Sequence, residues 1–394
     1  MKKIIIFLIL FNTFIFNINA VELDINSNNA ILYNLNDNNI IYEKKSEEKV
    51  QIASLTKIMT AIVTIDSVDD LNKEIIITNE MLNNLNGYAK AGLKVGDKVT
   101  YIDLLYALML PSGADAAQAL AISVSGSIDK FVIEMNKKAK ELNLNNTSFS
   151  NPIGMDDEDN YSTAYDLANL LKYSLKNNVF KKIFNSNKYT IESINLKLVK
   201  TTNDKAYKYG LDVSNITGSK TGYTDIAGLC LASTATINNV NYLLVTIGAP
   251  TDYPYHLKDA VEIYDYFSNN YEYKKIISKN QILTTLPIKH GKKKKIDIKS
   301  QNNIELYLSN EIDINKLEYE YDGVDIITKK IKVGDKLGEV KVKYNGEVLY
   351  NYKVVLNEKI EYINYWLYTG LLIGLLLLIL LLKKIKKSKK KIKR

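Results

Sequence analysis

The alternation of apolar and polar positions divides the chain into distinct stretches. At residues 1–20, two lysines precede an apolar run, Ile4 to Leu10, which continues through Phe11, Phe14 and Phe16 and closes at Ala20. That pattern reads as a secretory leader, cut after Ala20. Next, two β-type runs, Ala30-Ile-Leu-Tyr and Ile40-Ile-Tyr, flank an Asn/Asp-rich stretch and predict two short strands joined by a turn. Helical periods follow at 54–68, at 101–126, at 128–142 and from Tyr165 to Leu175, where Thr163 is placed to cap the helix. The pattern then turns to short, β-branched, Gly-bounded runs: Gly218 to Thr221, Gly228 to Ala235, and Tyr242 to Gly248. Lys258 to Phe267 returns to helix.

From about Lys274, alternating segments dominate: Ile282-Thr-Thr-Leu, Ile296-Asp-Ile, Ile304-Glu-Leu-Tyr-Leu, Ile326-Ile and Val340-Lys-Val-Lys-Tyr. Gly334-Asp335 and Asn345-Gly346 are hairpin turn signals. The reading is therefore an α+β domain followed by a small all-β domain. The boundaries it gives are a leader at 1–20, the first domain at 21–272, the β-rich domain at 273–359, a membrane helix at 362–382 and a basic tail at 383–394.

The membrane helix rests on an unbroken Leu/Ile run ending at Leu382. From Tyr365 to Leu382 a helix spans roughly 27 Å at about 1.5 Å per residue, close to a hydrocarbon core of about 30 Å. Tyr362, Tyr365, Trp366 and Tyr368 form an aromatic belt at one interface, and the lysine cluster beyond Leu382 marks the other as cytoplasmic. The body is then expected outside the cytoplasm, tethered by its C-terminus.

Charge supports that topology. The 394 residues carry a formal +8 and a pI near 9.0, which at first suggests nucleic acid. Of the 52 basic residues, however, nine lie in Lys383–Arg394 and two are Lys2 and Lys3; the remaining 41 face 44 acids. The body is mildly acidic, and the chain's single arginine, Arg394, lies outside it, so Arg readout of guanine is not open to the body. No nucleic-acid partner is expected. One cysteine, Cys230, excludes an intramolecular disulfide and reads as a buried small apolar residue. Two histidines leave little for a metal centre, and no metal or cofactor is expected. Lys292 to Lys295 read as a solvated hairpin turn, with contact to anionic lipid or wall polymer as the alternative.

Three short segments carry the chemistry. In Ala53-Ser54-Leu55-Thr56-Lys57, a helix opening at Ser54 brings Lys57 one turn on, about 5–6 Å away between Cβ atoms. A serine hydroxyl is a poor nucleophile until a base takes its proton, and a desolvated lysine is a credible base where histidine is scarce. In Pro111-Ser112-Gly113-Ala114-Asp115 a second serine could relay a proton, or cap a helix. In Lys220-Thr221-Gly222-Tyr223-Thr224, a lysine and threonine on an edge strand could hold a carboxylate, and the glycine would admit substrate backbone.

In that order, the three resemble the S-x-x-K, S-x-N and K-T-G set of penicillin-recognising serine enzymes. Four flanking stretches narrow the resemblance: Ala53-Ser-Leu-Thr-Lys-Ile-Met-Thr-Ala61, Asn151-Pro-Ile-Gly154, Tyr161-Ser-Thr-Ala-Tyr-Asp-Leu-Ala168, and Lys220 through Cys230. They resemble the D-alanyl-D-alanine carboxypeptidases, the low-molecular-mass penicillin-binding proteins, over about residues 22–270. The β domain, with Val333-Gly-Asp-Lys-Leu-Gly-Glu-Val340, is similar to that family's C-terminal domain. The resemblance implies a penicillin-binding-protein/β-lactamase-like transpeptidase fold. It implies removal of the terminal D-alanine from peptidoglycan stem peptides through an acyl-enzyme, with β-lactams as inhibitors. It gives Ser54 the nucleophile's role, Lys57 the base's and Ser112 the proton shuttle's. Lys220 and Thr221 would hold the substrate carboxylate. Gly222 would admit the substrate, and the N–H groups of Ser54 and Tyr223 would form the oxyanion hole.

One position departs from the family pattern. The third residue of S-x-N is Ala114, which has no donor or acceptor to offer the substrate amide or the lysine. Asp115 and Gln118 are the neighbours that could stand in. The alternative reading is a weakened or inactive wall-binding protein. A β-lactamase is disfavoured, because no Glu-x-x-Leu-Asn segment positions a deacylating water.

Overall fold

The computed structural model describes residues 21–392. The expected leader and its cut after Ala20 lie outside the described residues. The chain forms two compact units, the described residues up to Asn269 and those from Asn270 onward.

The first unit is built on five antiparallel strands. β1 (Asn29–Asn34) and β2 (Asn39–Lys44) form the first hairpin. β3 (Glu74–Ile76) with β4 (Lys98–Thr100), and β5 (Lys188–Ile191) with β6 (Leu196–Val199), are small separate hairpins. β7 (Ile216–Thr224), β8 (Gly228–Ile237) and β9 (Val240–Ala249) complete the main sheet in the order β2-β1-β9-β8-β7. β7 is therefore an edge strand.

Helices cover the sheet. They are α1 (Lys57–Ser67), α2 (Tyr101–Met109), α3 (Ala114–Ser125), α4 (Ile128–Glu141), α5 (Ala164–Ser174), α6 (Asn178–Asn185), α7 (Thr201–Tyr209) and α8 (Tyr255–Asn270). Side chains alternate across a strand, and both faces of the sheet are used. Ile31, Cys230, Ala232, Leu243 and Val245 join the core formed with α1–α6. Tyr242 and Ser233 instead meet Tyr264 of α8, the serine by a 2.9 Å hydrogen bond. Burial on both faces explains why β9 reads as a nearly continuous apolar run. Thr163 caps α5 as expected, its hydroxyl accepting from Asp166 N.

The second unit is all-β up to its last helix. β10 (Tyr271–Ile277) pairs with β13 (Ile304–Ser309), and β11 (Ile282–Pro287) with β12 (Lys295–Lys299). β14 (Glu318–Gly323), β15 (Lys336–Tyr344) and β16 (Glu347–Val355) form a three-stranded sheet. Asn345 and Gly346 join β15 to β16 with φ of 51° and 84°, the left-handed pair a two-residue hairpin needs. Two expectations are corrected. Ile326-Ile327 forms no strand; Ile327 makes only an isolated parallel bridge to Ile288 while its side chain fills the core. Gly334-Asp335 turns the chain into β15 at the end of a loop and is not itself a tight hairpin.

The final helix, α9 (Tyr365–Ile392), contains a stretch, Tyr365–Ile385, long and apolar enough to cross a membrane. None of that stretch is buried in the protein.

Candidate active site

Ser54 sits in a single 3₁₀ turn, Ala53–Thr56, that leads directly into α1. The turn is anchored by Ile52, Leu55, Ile58 and Met59, none of which is accessible. Lys57, the first residue of α1, is 1% exposed, and its Nζ lies 2.8 Å from Ser54 Oγ. Its other partner is the carbonyl oxygen of Ile153, at 2.6 Å. Burial pushes the Lys57 ammonium down to about 7, against an opposing pull from the Asp115 carboxylate. Loss of hydration around a charge with no carboxylate in direct contact is the dominant effect.

The Asn151–Gly154 segment supplies that carbonyl. Asn151 Oδ1 accepts from the N–H groups of Ile153, Gly154 and Met155, folding the segment into a tight turn. Thr60 Oγ1 donates to Pro152 O at 2.7 Å, tying the turn to α1. Gly154 has φ +87°, and a Cβ there would fall 2.0 Å from Ala53 O. Only glycine lets this turn lie against the Ser54 turn.

The second serine stands between α2 and α3. Ser112 adopts φ +64°, a left-handed conformation that a residue with a Cβ rarely takes. Gly113 N–H bonds to Ala107 O, and Ala114 N–H to Ala89 O, which hold it there. Lys220 Nζ lies 2.8 Å from Ser112 Oγ and 2.7 Å from Thr221 O, and it is 1% exposed. The site thus contains two serine–lysine pairs.

β7 joins the two pairs. Lys220 and Gly222 are two residues apart on it, so they share a face. Lys220 reaches Ser112, and a Cβ at Gly222 would stand 3.0 Å from Ser54 N. Thr221 Oγ1 lies 2.9 Å from Thr201 Oγ1 at the start of α7. Tyr223 is half-exposed, its hydroxyl 2.5 Å from Asp225 Oδ1. All seven residues singled out in the sequence fall in this one region.

Ala114 is buried at the start of α3. Neither expected stand-in is free to replace the missing amide. The Asp115 carboxylate accepts from the N–H groups of Ala91, Gly92, Leu93 and Ala116. Gln118 Nε2 donates to Glu80 O and Asn83 O. Asp115 is therefore the clamp on the 91–93 segment and an electrostatic influence on Lys57. The sequence reading missed three contributors: the Ile153 carbonyl, Thr201, and this clamp.

Comparison with known proteins agrees with the geometry. The fold is that of the penicillin-binding-protein transpeptidases, followed by their all-β C-terminal domain. The family model for D-alanyl-D-alanine carboxypeptidase matches residues 17–251, and that for the penicillin-binding protein 5 C-terminal domain matches residues 271–362. The chain belongs to the D-alanyl-D-alanine carboxypeptidase family. It is 31% identical over 341 residues to the carboxypeptidase DacF of Bacillus subtilis, covering 86% of each chain. It is 32% identical over 251 residues to a D-alanyl-D-alanine endopeptidase of Escherichia coli, covering 61% of this chain and 77% of that one. Among solved structures, the carboxypeptidase DacD of Francisella tularensis superposes with a TM-score of 0.70 at 22% identity, over 87% of this chain and 95% of that one. The Streptomyces K15 DD-transpeptidase does so with a TM-score of 0.57 at 29% identity, over 63% and 98%.

Proposed function

We propose that this chain is a serine D-Ala-D-Ala carboxypeptidase that trims peptidoglycan stem peptides, with Ser54 as the acylated nucleophile. The observation that carries the assignment is the fully buried Lys57 amine 2.8 Å from Ser54 Oγ, with its proton affinity lowered to about pH 7. A neutral Lys57 takes the Ser54 proton as Oγ attacks the penultimate D-alanine carbonyl. The developing oxyanion accepts hydrogen bonds from the N–H groups of Ser54 and Tyr223. Ser112, bonded to Lys220, passes a proton to the departing D-alanine nitrogen as the C–N bond breaks. Water then adds to the ester, the C–Oγ bond breaks, and Ser54 and the shortened peptide are released. Lys220 and Thr221 hold the terminal carboxylate, and bare Gly222 lets the substrate backbone lie along β7. β-Lactams, as cyclic amides, acylate the same oxygen.

Nothing observed favours the inactive alternative drawn from Ala114; the missing amide bears on rate alone, which Ala114→Asn tests. In the same reading α9 tethers the chain to the membrane, with the lysine tail on the cytoplasmic side and both units outside the cytoplasm. Catalysis lies in 21–272, and 273–359 forms the β-rich C-terminal domain. The test is D-alanine release from a pentapeptide by the full chain, compared with Ser54→Ala. Release by the wild type alone supports the reading; equal release by both removes Ser54 from it.

A further inference from the structure

Four consecutive exposed lysines, Lys292 to Lys295, lie in the loop between β11 and β12 and at the first residue of β12. In the structure this loop is not a free hairpin tip. It pairs with the chain just before α9. Lys292 N–H bonds to Glu361 O at 2.8 Å, Ile363 N–H bonds to His290 O at 2.9 Å, and Gly291 bridges Tyr362. His290 Nδ1 lies 3.3 Å from the hydroxyl of Tyr365, the first residue of α9, with the two rings perpendicular. No lysine of the four is more than five residues from His290, about 17 Å of extended chain at most. A second loop joins them: Tyr362 OH donates to Thr328 O, and Lys329 Nζ lies 5.9 Å from the Tyr362 ring centre.

The acids do not neutralise this collar. Glu361 pairs with Lys292 at 3.0 Å, both groups exposed. Beside it an open groove of about 710 Å³ runs along β12, lined by Lys279, Lys293, Lys295 and Lys299 against Asp297 and Glu358. Lysines at the outer end of a membrane helix also run against the usual bias, which concentrates them on the cytoplasmic side. A plain solvated turn needs neither the pairing to 361–363 nor the aromatic contact with the first turn of the helix.

We propose that Lys293, Lys294 and Lys295, with Lys329, dock the second unit onto anionic phospholipid headgroups of the leaflet into which α9 inserts. The collar meets phosphate groups while Tyr365 and Trp366 sit at the interface. This inference rests on the reading of α9 as a membrane span.

The test uses the full chain in nanodiscs of phosphatidylcholine alone, or of equal parts phosphatidylcholine and phosphatidylglycerol. Acetylation rates of individual lysines are read by mass spectrometry, and amide exchange along α9 is read in the same samples. A lysine at an anionic surface gains about fivefold in occupancy. Acetylation of Lys293 to Lys295 should therefore be about fivefold slower in the anionic discs, and the difference should vanish at high salt. Equal rates in both discs, with α9 protected in both, overturn the docking proposal alone. Free exchange along α9 removes the membrane reading and this inference with it. Slowing in phosphatidylcholine discs only when soluble glycerol-phosphate polymer is added would assign the lysines to a wall polymer and overturn the lipid proposal.

Discussion

Lys57 Nζ stands 2.8 Å from Ser54 Oγ, and the other group it bonds is a backbone carbonyl, Ile153 O. A carbonyl orients the amine without stabilising its proton as a carboxylate would. Burial therefore wins, and the amine titrates near neutrality.

A pH dependence follows. The base must be neutral to accept the serine proton, so acylation should fall about tenfold per pH unit below about 7. Stability should move in the same direction. Between about 7 and lysine's ordinary 10.5, the unfolded chain binds a proton that the folded chain does not, so folding stability rises with pH across that window. Lys57→Met should remove that contribution to the slope and lower acylation by about 10²–10⁴-fold. Stopped-flow β-lactam acylation and urea melts across pH read both effects.

Gly222→Ala separates folding from catalysis. The added Cβ would stand 3.0 Å from Ser54 N and 3.1 Å from Ala53 Cβ, contacts tight enough to crowd the oxyanion donor. The backbone there needs no left-handed φ, so the variant should fold with a native-like melt. Its acylation rate should drop by about 10²–10³, the usual effect of losing one oxyanion donor.

Asp115→Ala should act on both stability and pH profile. Three N–H groups of the 91–93 segment lose their buried acceptor, which costs about 1.5–3 kcal/mol and lowers Tm by roughly 3–12 °C. Removing the carboxylate also removes the one influence that raises the Lys57 pKa. The acid limb of the rate profile should therefore shift to lower pH, a change that loosening of the loop alone does not produce.

Ala114→Asn tests the departure from the family pattern. An amide at this buried position could supply the missing hydrogen bonds, which neither Asp115 nor Gln118 is free to make. D-Alanine release should rise by on the order of 10–100-fold in kcat/KM. An unchanged rate would mean that the Ile153 carbonyl already does the amide's work on Lys57.

Much of this site was legible because its determinants are local. Ser54 and Lys57 are three residues apart, and Lys220 with Gly222 alternates along one strand, so spacing alone predicts their shared faces. The long apolar stretch within α9 was legible from its length and composition. What stayed hidden has no side-chain letter or no local pattern. The Ile153 carbonyl is backbone, and the left-handed φ of Ser112 falls on a residue with no preference for it. Thr201 meets Thr221 only because α7 packs beside β7, and α7 has no apolar stripe to announce it. α6 buries Phe180, Ile183 and Phe184 at helical spacing, but its eight residues are too few for a periodic window to detect. Ile326-Ile327 shows the reverse error: Ile327 fills the core beside one isolated backbone bridge, while Ile326 is exposed.

The most direct test is the mass of the full chain after exposure to benzylpenicillin, with the adduct located by peptide sequencing. Acylation at Ser54 predicts one penicilloyl group per chain, carried on Ser54 and absent from Ser54→Ala. An adduct on Ser112 or any other residue, or labelling that persists in Ser54→Ala, would contradict it.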